Sequence, residues 1–467
     1  MGGAAEDKSE GQRIFDRSFL DEVLNPDWVR GESFAGASGF SIDSRTLREG
    51  DIFVALRTAK RDGHEFLGTA RDRGAAAALV SDPDPDIAIP QIVVADPLSG
   101  LQFLGAAWRK RWGGRVIAVT GSCGKTSTKE MLGLLFGEEE TFVTPGNLNN
   151  YLGIPLCELM LRPHHRRAIL EAGINEVGEM EKLAAMLTPE IAVVTTVGPA
   201  HLEKLGSVEG VAREKAVLPA HASESVFFGP ACAAFDAFTG SDRVEAHWLL
   251  SESQADKRVG HLWRYSASPV EGGCEVSLGD GEKIRFPAPE TTAGMIENVC
   301  LAIMVARDEG VTEDQILERL PEWRPSRQRG EILEIAGRTV YADCYNANPA
   351  SVADAIHYFH RRFPDPPRVW VIGGMGELGE DSSSWHRKLA KDLPILSGDR
   401  VFLVGGLTVE MIPVLREKVS EPEDVCFDES VDAVLERVAE TEGVLFLKGS
   451  RKYKLEKILD SLAAHNR

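Results

Sequence analysis

The sequence predicts an α/β protein of three domains, with a central parallel sheet and a doubly wound C-terminal domain. Three observations lead to this class. The chain has 467 residues, and at roughly 150 residues per domain this length corresponds to about three domains. Short apolar runs alternate with helical segments along most of the chain. Several of these runs are continuously apolar, as is typical of parallel strands that are buried on both faces.

The first part of the chain has the pattern of a small α/β unit. Strands are predicted over residues 51–56 and 76–80, with a helix over residues 63–73 between them. We expect this N-terminal domain to comprise residues 13–98. Residues 1–12 are polar and acidic, so we expect a disordered tail there.

The second part, residues 99–322, is predicted to contain the parallel sheet. A polar stretch of short strands, residues 240–289, is expected to form an antiparallel appendage, and a helix is expected over residues 297–309. The apolar runs that predict the strands of the sheet lie at residues 115–120, 168–170, 191–197 and 226–228.

The third part, residues 323–467, alternates strand and helix most regularly. This alternation is typical of a doubly wound domain of Rossmann type. The strands are predicted at residues 339–342, 368–372, 400–404, 425–428 and 444–447. The helices are predicted at residues 349–363, 384–393, 409–418, 431–440 and 453–464.

Composition restricts the partners and the compartment. With 52 Lys and Arg against 72 Asp and Glu, the formal charge is −20, which argues against nucleic-acid binding. The seven cysteines contain no C-x-x-C pair, and the N-terminus has no secretory signal, so we expect a cytoplasmic protein. No apolar run is long enough for a membrane span, and we expect a monomer.

The strongest local motif is a Gly-rich turn between a strand and a helix at residues 116–127. Its G-x-x-G-K-T spacing predicts a loop whose backbone N–H groups hold the phosphates of ATP. Lys125 is expected to reach the outer phosphates and Thr126 to bind Mg²⁺, whereas Cys123 is interpreted as filler. A plain strand–helix turn is the alternative. The predicted ATP-binding residues of this loop are Gly121, Ser122, Cys123, Gly124, Lys125, Thr126 and Ser127.

Two further strands are followed by residues that can bind a metal ion. Glu171 follows the second strand of the central sheet, and His201 follows the third across a Gly-Pro turn. Parallel strands end at one edge of the sheet, so we expect both residues to lie near the phosphate loop and to help hold Mg²⁺. Taken singly, each has a simpler interpretation, as a capping carboxylate and as a hydrogen-bonded histidine.

These motifs, in this order, resemble those of the Mur ligases. The further segments that carry the resemblance are residues 144–150, 171–176, 198–203 and 345–349. The last of them, Tyr-Asn-Ala-Asn-Pro, resembles the branch of the family that joins D-alanyl-D-alanine to UDP-N-acetylmuramoyl-tripeptide. The resemblance covers nearly the whole chain after the first dozen residues.

The resemblance implies an ATP-dependent ligase that makes an amide bond through an acyl phosphate, in the synthesis of the peptidoglycan precursor for the cell wall. By the same resemblance, the N-terminal domain binds the UDP end of the substrate and the central domain binds ATP. The C-terminal domain binds the ribose of ATP and the dipeptide. The implied substrate-binding residues are Ser44, Arg45, Asn147, Asn149, Asn150, Tyr345, Asn346 and Asn348.

The resemblance also implies a modified lysine and two Mg²⁺ sites. In the family, a lysine fourteen residues after the metal-binding histidine is carbamylated by carbon dioxide, and the corresponding residue here is Lys215. The implied catalytic residues are Lys125, Glu171, His201 and Lys215, and the implied metal ligands are Thr126, Glu171, His201 and Lys215.

Three more residues are implied to bind the nucleotide. Asn298 is expected to begin a helix that contacts adenine, although a role as a plain helix N-cap is the alternative. Arg329 matches the family's nucleotide-phosphate arginine, and Asp343 matches the aspartate that holds the ribose.

The chain departs from the family pattern at Ala216, Gly294 and Gly374. At position 374 the family has an aspartate, in a Gly-Asp-Met-x-Glu-Leu-Gly segment. These departures leave open a nucleotide-binding regulatory protein that has lost catalysis. A sister ligase, which adds the third residue of the stem peptide or extends folate with glutamate, is a second alternative.

Overall fold

The computed structural model describes residues 12–238, 243–254, 260–271, 273–279, 284–288 and 290–464. The tail predicted at residues 1–12 lies outside the described residues apart from Gln12. By their contacts the described residues divide into two compact units. The first contains the residues up to Ala118 with Glu139–Gly173 and Glu181–Pro189, and the second contains the remaining described residues.

The N-terminal sheet has five strands, which confirms the predicted small α/β unit. The strands are β1 Asp27–Val29, β2 Gly39–Ser41, β3 Asp51–Val54, β4 Ala77–Val80 and β5 Gln91–Val93, and the helices are α1 Arg17–Leu24, α2 Leu67–Asp72 and α3 Pro97–Trp112. The strand order is β1-β5-β4-β3-β2. Strands β2 to β5 are parallel and β1 is antiparallel at the edge. Apolar side chains such as Phe53, Ala78 and Val80 form its core.

The second sheet has nine strands and contains all four strands predicted for the central domain. They are β6 Arg115–Thr120, β7 Thr141–Val143, β8 Arg167–Glu171, β9 Ile191–Val194, β10 Ser225–Phe228, β11 Glu245–Ser251, β12 His261–Val270, β13 Gly273–Leu278 and β14 Ile284–Ala288. Their order is β14-β13-β12-β11-β10-β9-β6-β8-β7. The helices of this part are α4 Lys125–Phe136, α5 Gly153–Leu159, α6 Glu179–Leu187, α7 Leu202–Leu205, α8 Val208–Lys215, α9 Val217–Ala220, α10 Ala293–Asp308 and α11 Glu313–Arg319.

The predicted antiparallel appendage is only partly antiparallel. Strands β12, β13 and β14 pair antiparallel as predicted. Strand β11, which the sequence analysis missed, pairs parallel to both β10 and β12, so these strands continue the central sheet. The reason is the apolar centre of β11, where Trp248, Leu249 and Leu250 are fully buried.

The C-terminal sheet confirms the doubly wound domain. Its strands are β15 Glu331–Ile335, β16 Arg338–Asp343, β17 Arg368–Gly373, β18 Arg400–Val404, β19 Val425–Asp428 and β20 Val444–Lys448. They follow the order β15-β16-β20-β17-β18-β19, and all neighbours are parallel except β15, which the sequence analysis missed. The helices are α12 Pro349–Arg362, α13 Ser382–Asp392, α14 Ile412–Arg416, α15 Leu435–Glu440 and α16 Lys457–Ala464.

Helix α5 of the first unit buries a carboxyl group. Glu158 is fully buried against α3, where a Cβ added at Gly105 would lie 2.7 Å from Glu158 Oε2. Burial raises the pKa of Glu158 well above its usual value, and the positive charge of Arg109 opposes this only in part. The group is therefore neutral in the folded protein at pH values where the unfolded chain carries it ionised.

We predict that Glu158→Gln stabilises the protein more at pH 8 than at pH 5. The pKa of Glu158 is higher in the folded protein than in the unfolded chain. The folded protein therefore loses stability as the pH rises from the unfolded pKa towards the folded pKa, because the carboxyl group ionises more easily in the unfolded chain. A glutamine cannot ionise, so it removes this loss. Thermal unfolding should show a melting temperature raised by about 2–4 °C at pH 8, the change that ~1 kcal/mol produces in a domain of ~200 residues. The control is Glu139→Gln at an exposed site. A gain that does not depend on pH would contradict the prediction.

Candidate active site

The predicted phosphate loop connects β6 to α4. Gly124 has a φ of +85°, and a Cβ there would overlap the side-chain amide of Asn298, so both conformation and space require glycine. Helix α4 begins at the next residue, Lys125, whose Nζ donates to the Gly121 carbonyl oxygen at 2.8 Å. A Gly-rich turn that opens a helix presents backbone N–H groups suited to phosphate.

The same loop is joined to the turn that precedes His201. Ser122 N donates to the Thr196 carbonyl oxygen at 2.8 Å. Ser122 Oγ donates to the Gly198 carbonyl oxygen and accepts from Gly198 N, both at 3.0 Å. The ends of β6 and β9 are therefore held together by one serine, as the shared sheet edge predicted.

His201 is held by a carboxylate from the C-terminal part of the second unit. His201 Nδ1 lies 2.5 Å from Glu377 Oε2, and this contact lowers the pKa of Glu377. Both residues have positive φ, at +54° and +61°, which is uncommon for residues other than glycine and frequent at functional sites. A carboxylate on one ring nitrogen leaves Nε2 for a ligand, as in many metal-binding histidines.

Lys215 is the last residue of α8 and is almost completely buried. Burial lowers its pKa well below the usual value for lysine, and the positive charge of Lys125 lowers it further. Both effects favour the neutral, nucleophilic form of the amine. Cys123 behaves differently, because burial raises the pKa of its thiol to about 11. This supports its interpretation as filler.

The prediction that Asn298 begins a helix is wrong. Helix α10 begins at Ala293 and is capped by Thr292, whose Oγ1 accepts from Met295 N at 3.2 Å. Asn298 lies in the second turn, buried against the phosphate loop. The departure at Gly294 also has a local reason, because a Cβ there would lie 2.8 Å from an Asp354 oxygen that Gly294 N contacts.

The loop after β16 gathers the residues predicted for the ribose and the dipeptide. Asn348 Nδ2 donates to the Ser122 carbonyl oxygen at 3.2 Å and so contacts the phosphate loop. Lys448, at the end of β20, is 2.8 Å from Asp343 Oδ2 and donates to the Asn346 carbonyl oxygen at 2.9 Å. The Arg329 guanidinium carbon lies 4.0 Å from the centre of the Tyr345 ring.

Glu377 and Lys448 were not among the predicted site residues. Their segments do resemble the family pattern, and by that resemblance residues 448–451 are implied to help recognise the dipeptide. Glu377 follows β17 in a loop that begins Gly-Gly, and Lys448 ends β20 before another glycine. Glycines directly after parallel strands were the signal that could have identified both residues.

Gly374 provides space for an aromatic ring. A Cβ at this position would lie 2.6 Å from the Tyr453 hydroxyl oxygen and 3.0 Å from its ring. Cβ atoms at Gly405 and Gly406 would also overlap Tyr453. The tyrosine therefore occupies a cradle made by three glycines, which explains why the side chain that the family has at position 374 does not fit.

We predict that Gly374→Asp destabilises the protein by about 1–3 kcal/mol, the usual range for overpacking. The double change of Gly374→Asp with Tyr453→Ala should recover most of this loss, because the second change empties the cradle. Chemical denaturation of both single variants and the double variant measures the coupling. Additive losses would show that residues 374 and 453 do not compete for the same space.

Six of the predicted residues lie in the first unit, and four of them follow β7 or end β8. Glu171 is buried, its backbone N donates to Thr144 Oγ1 at 2.9 Å, and its Oε1 accepts from Asn149 Nδ2 at 2.7 Å. Asn150 instead accepts from the backbone N of residues 152 and 153 at the start of α5, and Asn147 is exposed. The structure thus joins Asn149 to Glu171, and gives Asn150 a local capping contact.

Arg45, predicted to contact the diphosphate, forms an ion pair with Asp43 at 2.6 Å, and its side chain is 79% exposed. The hydrogen bonds from Arg45 lower the pKa of Asp43 to about 2. Neighbouring Ser44 is buried, and its carbonyl oxygen accepts from Arg73 at 3.2 Å. Substrate binding by Ser44 and Arg45 stays a prediction.

The residues near the phosphate loop have donor types that fit a magnesium ion. Mg²⁺ prefers oxygen ligands and keeps several waters and phosphate oxygens, so a hydroxyl such as that of Thr126 is suitable. Within the described ranges, no three His, Cys, Asp or Glu side chains gather in a metal-binding cluster. The predicted ligand set differs from such a cluster because it includes a hydroxyl and a carbamate. The Mg²⁺ sites and the carbamate stay predictions.

The fold and the loop together define a P-loop nucleotide-binding protein, in which a parallel strand, a Gly-rich turn and a helix with Lys125 and Thr126 follow one another. Three family models match the chain. "Mur ligase family, catalytic domain" matches residues 37–108, "Mur ligase middle domain" matches residues 119–306, and "Mur ligase, glutamate ligase domain" matches residues 328–451.

Individual relatives match over most of their length. A UDP-N-acetylmuramoyl-tripeptide–D-alanyl-D-alanine ligase of Treponema pallidum (strain Nichols) is 31% identical, over 91% of this chain and 93% of the relative. The ligase of the same name from Escherichia coli (strain K12) is 31% identical, over 83% and 85%. The crystal structure of MurF from Acinetobacter baumannii has a TM-score of 0.81 at 26% identity and covers 96% of this chain and 99% of that one.

The chain belongs to the Mur ligase family of ATP-dependent amide ligases. Its three α/β sheets have the architecture predicted from the sequence, with a P-loop sheet in the middle and a Rossmann-like sheet at the C-terminus. Across the described residues, no helix combines the length and the apolar character that crossing a bilayer requires.

Proposed function

We propose that this protein joins D-alanyl-D-alanine to UDP-N-acetylmuramoyl-tripeptide at the expense of ATP. The product is the UDP-linked pentapeptide precursor of peptidoglycan. One observation favours this reaction over those of other Mur ligases. The Tyr-Asn-Ala-Asn-Pro loop, which resembles the branch specific for this dipeptide, contacts the phosphate loop through Asn348 Nδ2 and the Ser122 carbonyl oxygen, 3.2 Å apart. The relatives from Treponema pallidum and Escherichia coli carry the name of this ligase.

The reaction proceeds in two steps. The terminal carboxylate of the tripeptide attacks the γ-phosphorus of ATP, which gives an acyl phosphate and releases ADP. The amine of the dipeptide then attacks the acyl carbon, the amine loses a proton, and phosphate leaves from the tetrahedral intermediate. The protein supplies no covalent nucleophile in either step, so its contribution is positioning and charge stabilisation.

Charge stabilisation is the main demand because a carboxylate must approach a triphosphate. Lys125 in the phosphate loop and Arg329 beside the Tyr345 ring supply the positive charges that this requires. Magnesium, when bound, neutralises phosphate charge, and Thr126, Glu171, His201 and carbamylated Lys215 are the residues that would hold it. Glu377 orients His201 for this task.

Lys215 has the properties that carbamylation requires. A carbamate forms when a neutral amine attacks carbon dioxide and loses a proton, and the burial of Lys215 lowers its pKa and so favours the neutral amine. The product is a carboxylate-like group, which would turn a buried lysine into an oxygen ligand for Mg²⁺.

The cytoplasmic location and the monomeric state stay predictions.

The proposed reaction predicts phosphate release from ATP only when UDP-N-acetylmuramoyl-tripeptide and D-alanyl-D-alanine are both present. A coupled phosphate assay with the purified protein measures this. Replacing the dipeptide by glutamate or by a single amino acid is the control and should reduce the rate by about 100-fold or more. Equal rates with glutamate would favour a sister ligase, and no release with the proposed pair would favour a regulatory protein.

We also predict that Lys215→Arg abolishes both the carbamate and about 99% or more of the activity, because an arginine cannot become an oxygen ligand. Incubation with ¹³C-labelled bicarbonate and carbon-13 NMR should show a carbamate signal in the unchanged protein and none in this variant. Lys204→Arg is the matched control, since Lys204 is half exposed and pairs with Glu176 at 2.8 Å. A signal that persists in Lys215→Arg would refute the assignment.

A further inference from the structure

Asp354 of α12 binds the first turn of α10. Its Oδ1 accepts from Ala293 N at 3.1 Å, and its Oδ2 accepts from Gly294 N at 3.0 Å. Gly294 and Asp354 are 60 residues apart in the sequence. The carboxylate therefore joins two helices that belong to separate segments of the chain.

Helix α10 does not need this carboxylate as its N-cap. Thr292 is the N-cap, and its Oγ1 accepts from Met295 N at 3.2 Å, which is the usual way to satisfy a helix start. The other N–H groups of a first turn can bind water when no side chain reaches them. The contact from α12 is thus additional to normal capping, and what it adds is a connection between the two helices.

The position of Asp354 is electrostatically unfavourable for a carboxylate. Burial raises the pKa of Asp354 and the charge of Asp343 raises it further, whereas hydrogen bonds from Thr292 and from the start of α10 lower it. Burial also raises the pKa of Glu297 in α10 to about 7, and the charge of Asp354 adds to this rise while the hydrogen bond from Tyr265 opposes it. Carboxyl groups held at such a cost are more frequent at functional sites than elsewhere.

The two helices that Asp354 joins both contact the phosphate loop. Asn298, in the second turn of α10, is buried against Gly124, where an added Cβ would overlap the Asn298 amide. Asn348 is the N-cap of α12, and its Nδ2 donates to the Ser122 carbonyl oxygen at 3.2 Å. The phosphate loop, α10 and α12 therefore contact one another in a closed ring, in which Asp354 links the two helices.

We propose that Asp354 is a positioning residue for the nucleotide. Through the first turn of α10 it holds Asn298 against the phosphate loop, and it ties this position to α12. Glycine at position 294 belongs to the same arrangement, because a Cβ there would lie 2.8 Å from Asp354 Oδ2. This inference rests on the proposed function, in which Asn298 and the phosphate loop bind ATP.

The test is Asp354→Asn, which keeps the shape of the side chain but replaces one acceptor oxygen by a donating amide. The asparagine can accept from only one of the two N–H groups. We expect the KM for ATP to rise about 10-fold, the effect of losing one hydrogen bond to a charged group. The kcat and the KM for the UDP-linked tripeptide should stay within about twofold. Calorimetric titration with ADP and Mg²⁺ should show the same loss of affinity without any need for catalysis.

Asp96→Asn is the matched control. Asp96 binds the first turn of α3 with both carboxylate oxygens, which accept from Leu98 N at 3.2 Å and Ser99 N at 3.1 Å, and it lies in the first unit. Both variants weaken a helix start, so both should lower the melting temperature. Only Asp354→Asn should lower the affinity for ADP.

Two further variants separate positioning from stability. In an Asn298→Ala background, Asp354→Asn should have no additional effect on the affinity for ADP, because its effect passes through Asn298. Gly294→Ala should lower this affinity by displacing the carboxylate, although alanine favours the helix itself. A purely structural role of Asp354 predicts neither result.

The outcomes that would overturn the proposal are specific. They are an unchanged affinity for ADP in Asp354→Asn, or an equal loss in the Asn298→Ala background. A uniform loss of kcat and of affinity for every substrate would show a purely structural role and would also overturn it. An unchanged protein that binds ADP but forms no amide bond would overturn the proposed reaction alone, and the affinities for ADP would still decide the role of Asp354.

Discussion

The candidate site depends on a phosphate loop that is held in place by hydrogen bonds to its backbone carbonyl oxygens. Three successive carbonyls accept hydrogen bonds from side chains of three different segments. Lys125 donates to Gly121, Asn348 donates to Ser122, and Thr195 Oγ1 donates to Cys123. With these carbonyl oxygens bonded to protein, the loop is held in the turn conformation that is typical of phosphate-binding loops.

These contacts also join distant parts of the chain into one chemical unit. Asn348 is 226 residues away from Ser122 in sequence, and Glu377 belongs to the same C-terminal part while it contacts His201. The phosphate loop is therefore in direct contact with the loop that follows β16. Lys125 has two effects, because the positive charge that suits phosphate also lowers the pKa of Lys215.

Features that depend on residues close together in the sequence could be predicted from the sequence alone. The phosphate loop, the strands of the central sheet and the alternation in the C-terminal sheet have local patterns, and the structure contains them. Strand β15 was missed because its side chains alternate between exposed and half-buried at a sheet edge. The start of α10 was missed because Thr292 caps it from outside the apolar pattern.

The contacts of the candidate site were less accessible to sequence reasoning. The pairing of His201 with Glu377 and of Asp343 with Lys448 depends on how strands far apart in sequence end at one edge. The low pKa of Lys215 arises from burial, which a single lysine on a polar helix does not reveal. The role of Asn149 beside Glu171 was implied only by family resemblance, although their contact is direct.

The three-glycine cradle around Tyr453 has a consequence for how this lineage can change. A larger residue at position 374, 405 or 406 meets the ring, whereas loss of the ring first leaves a hole beneath the ligand-binding edge. Each single step is therefore unfavourable, and only joint replacement avoids the penalty. Substitutions at Tyr453 and at its three glycines are therefore coupled in their effect on stability, so a comparison that scores each position alone misjudges how tolerant these sites are.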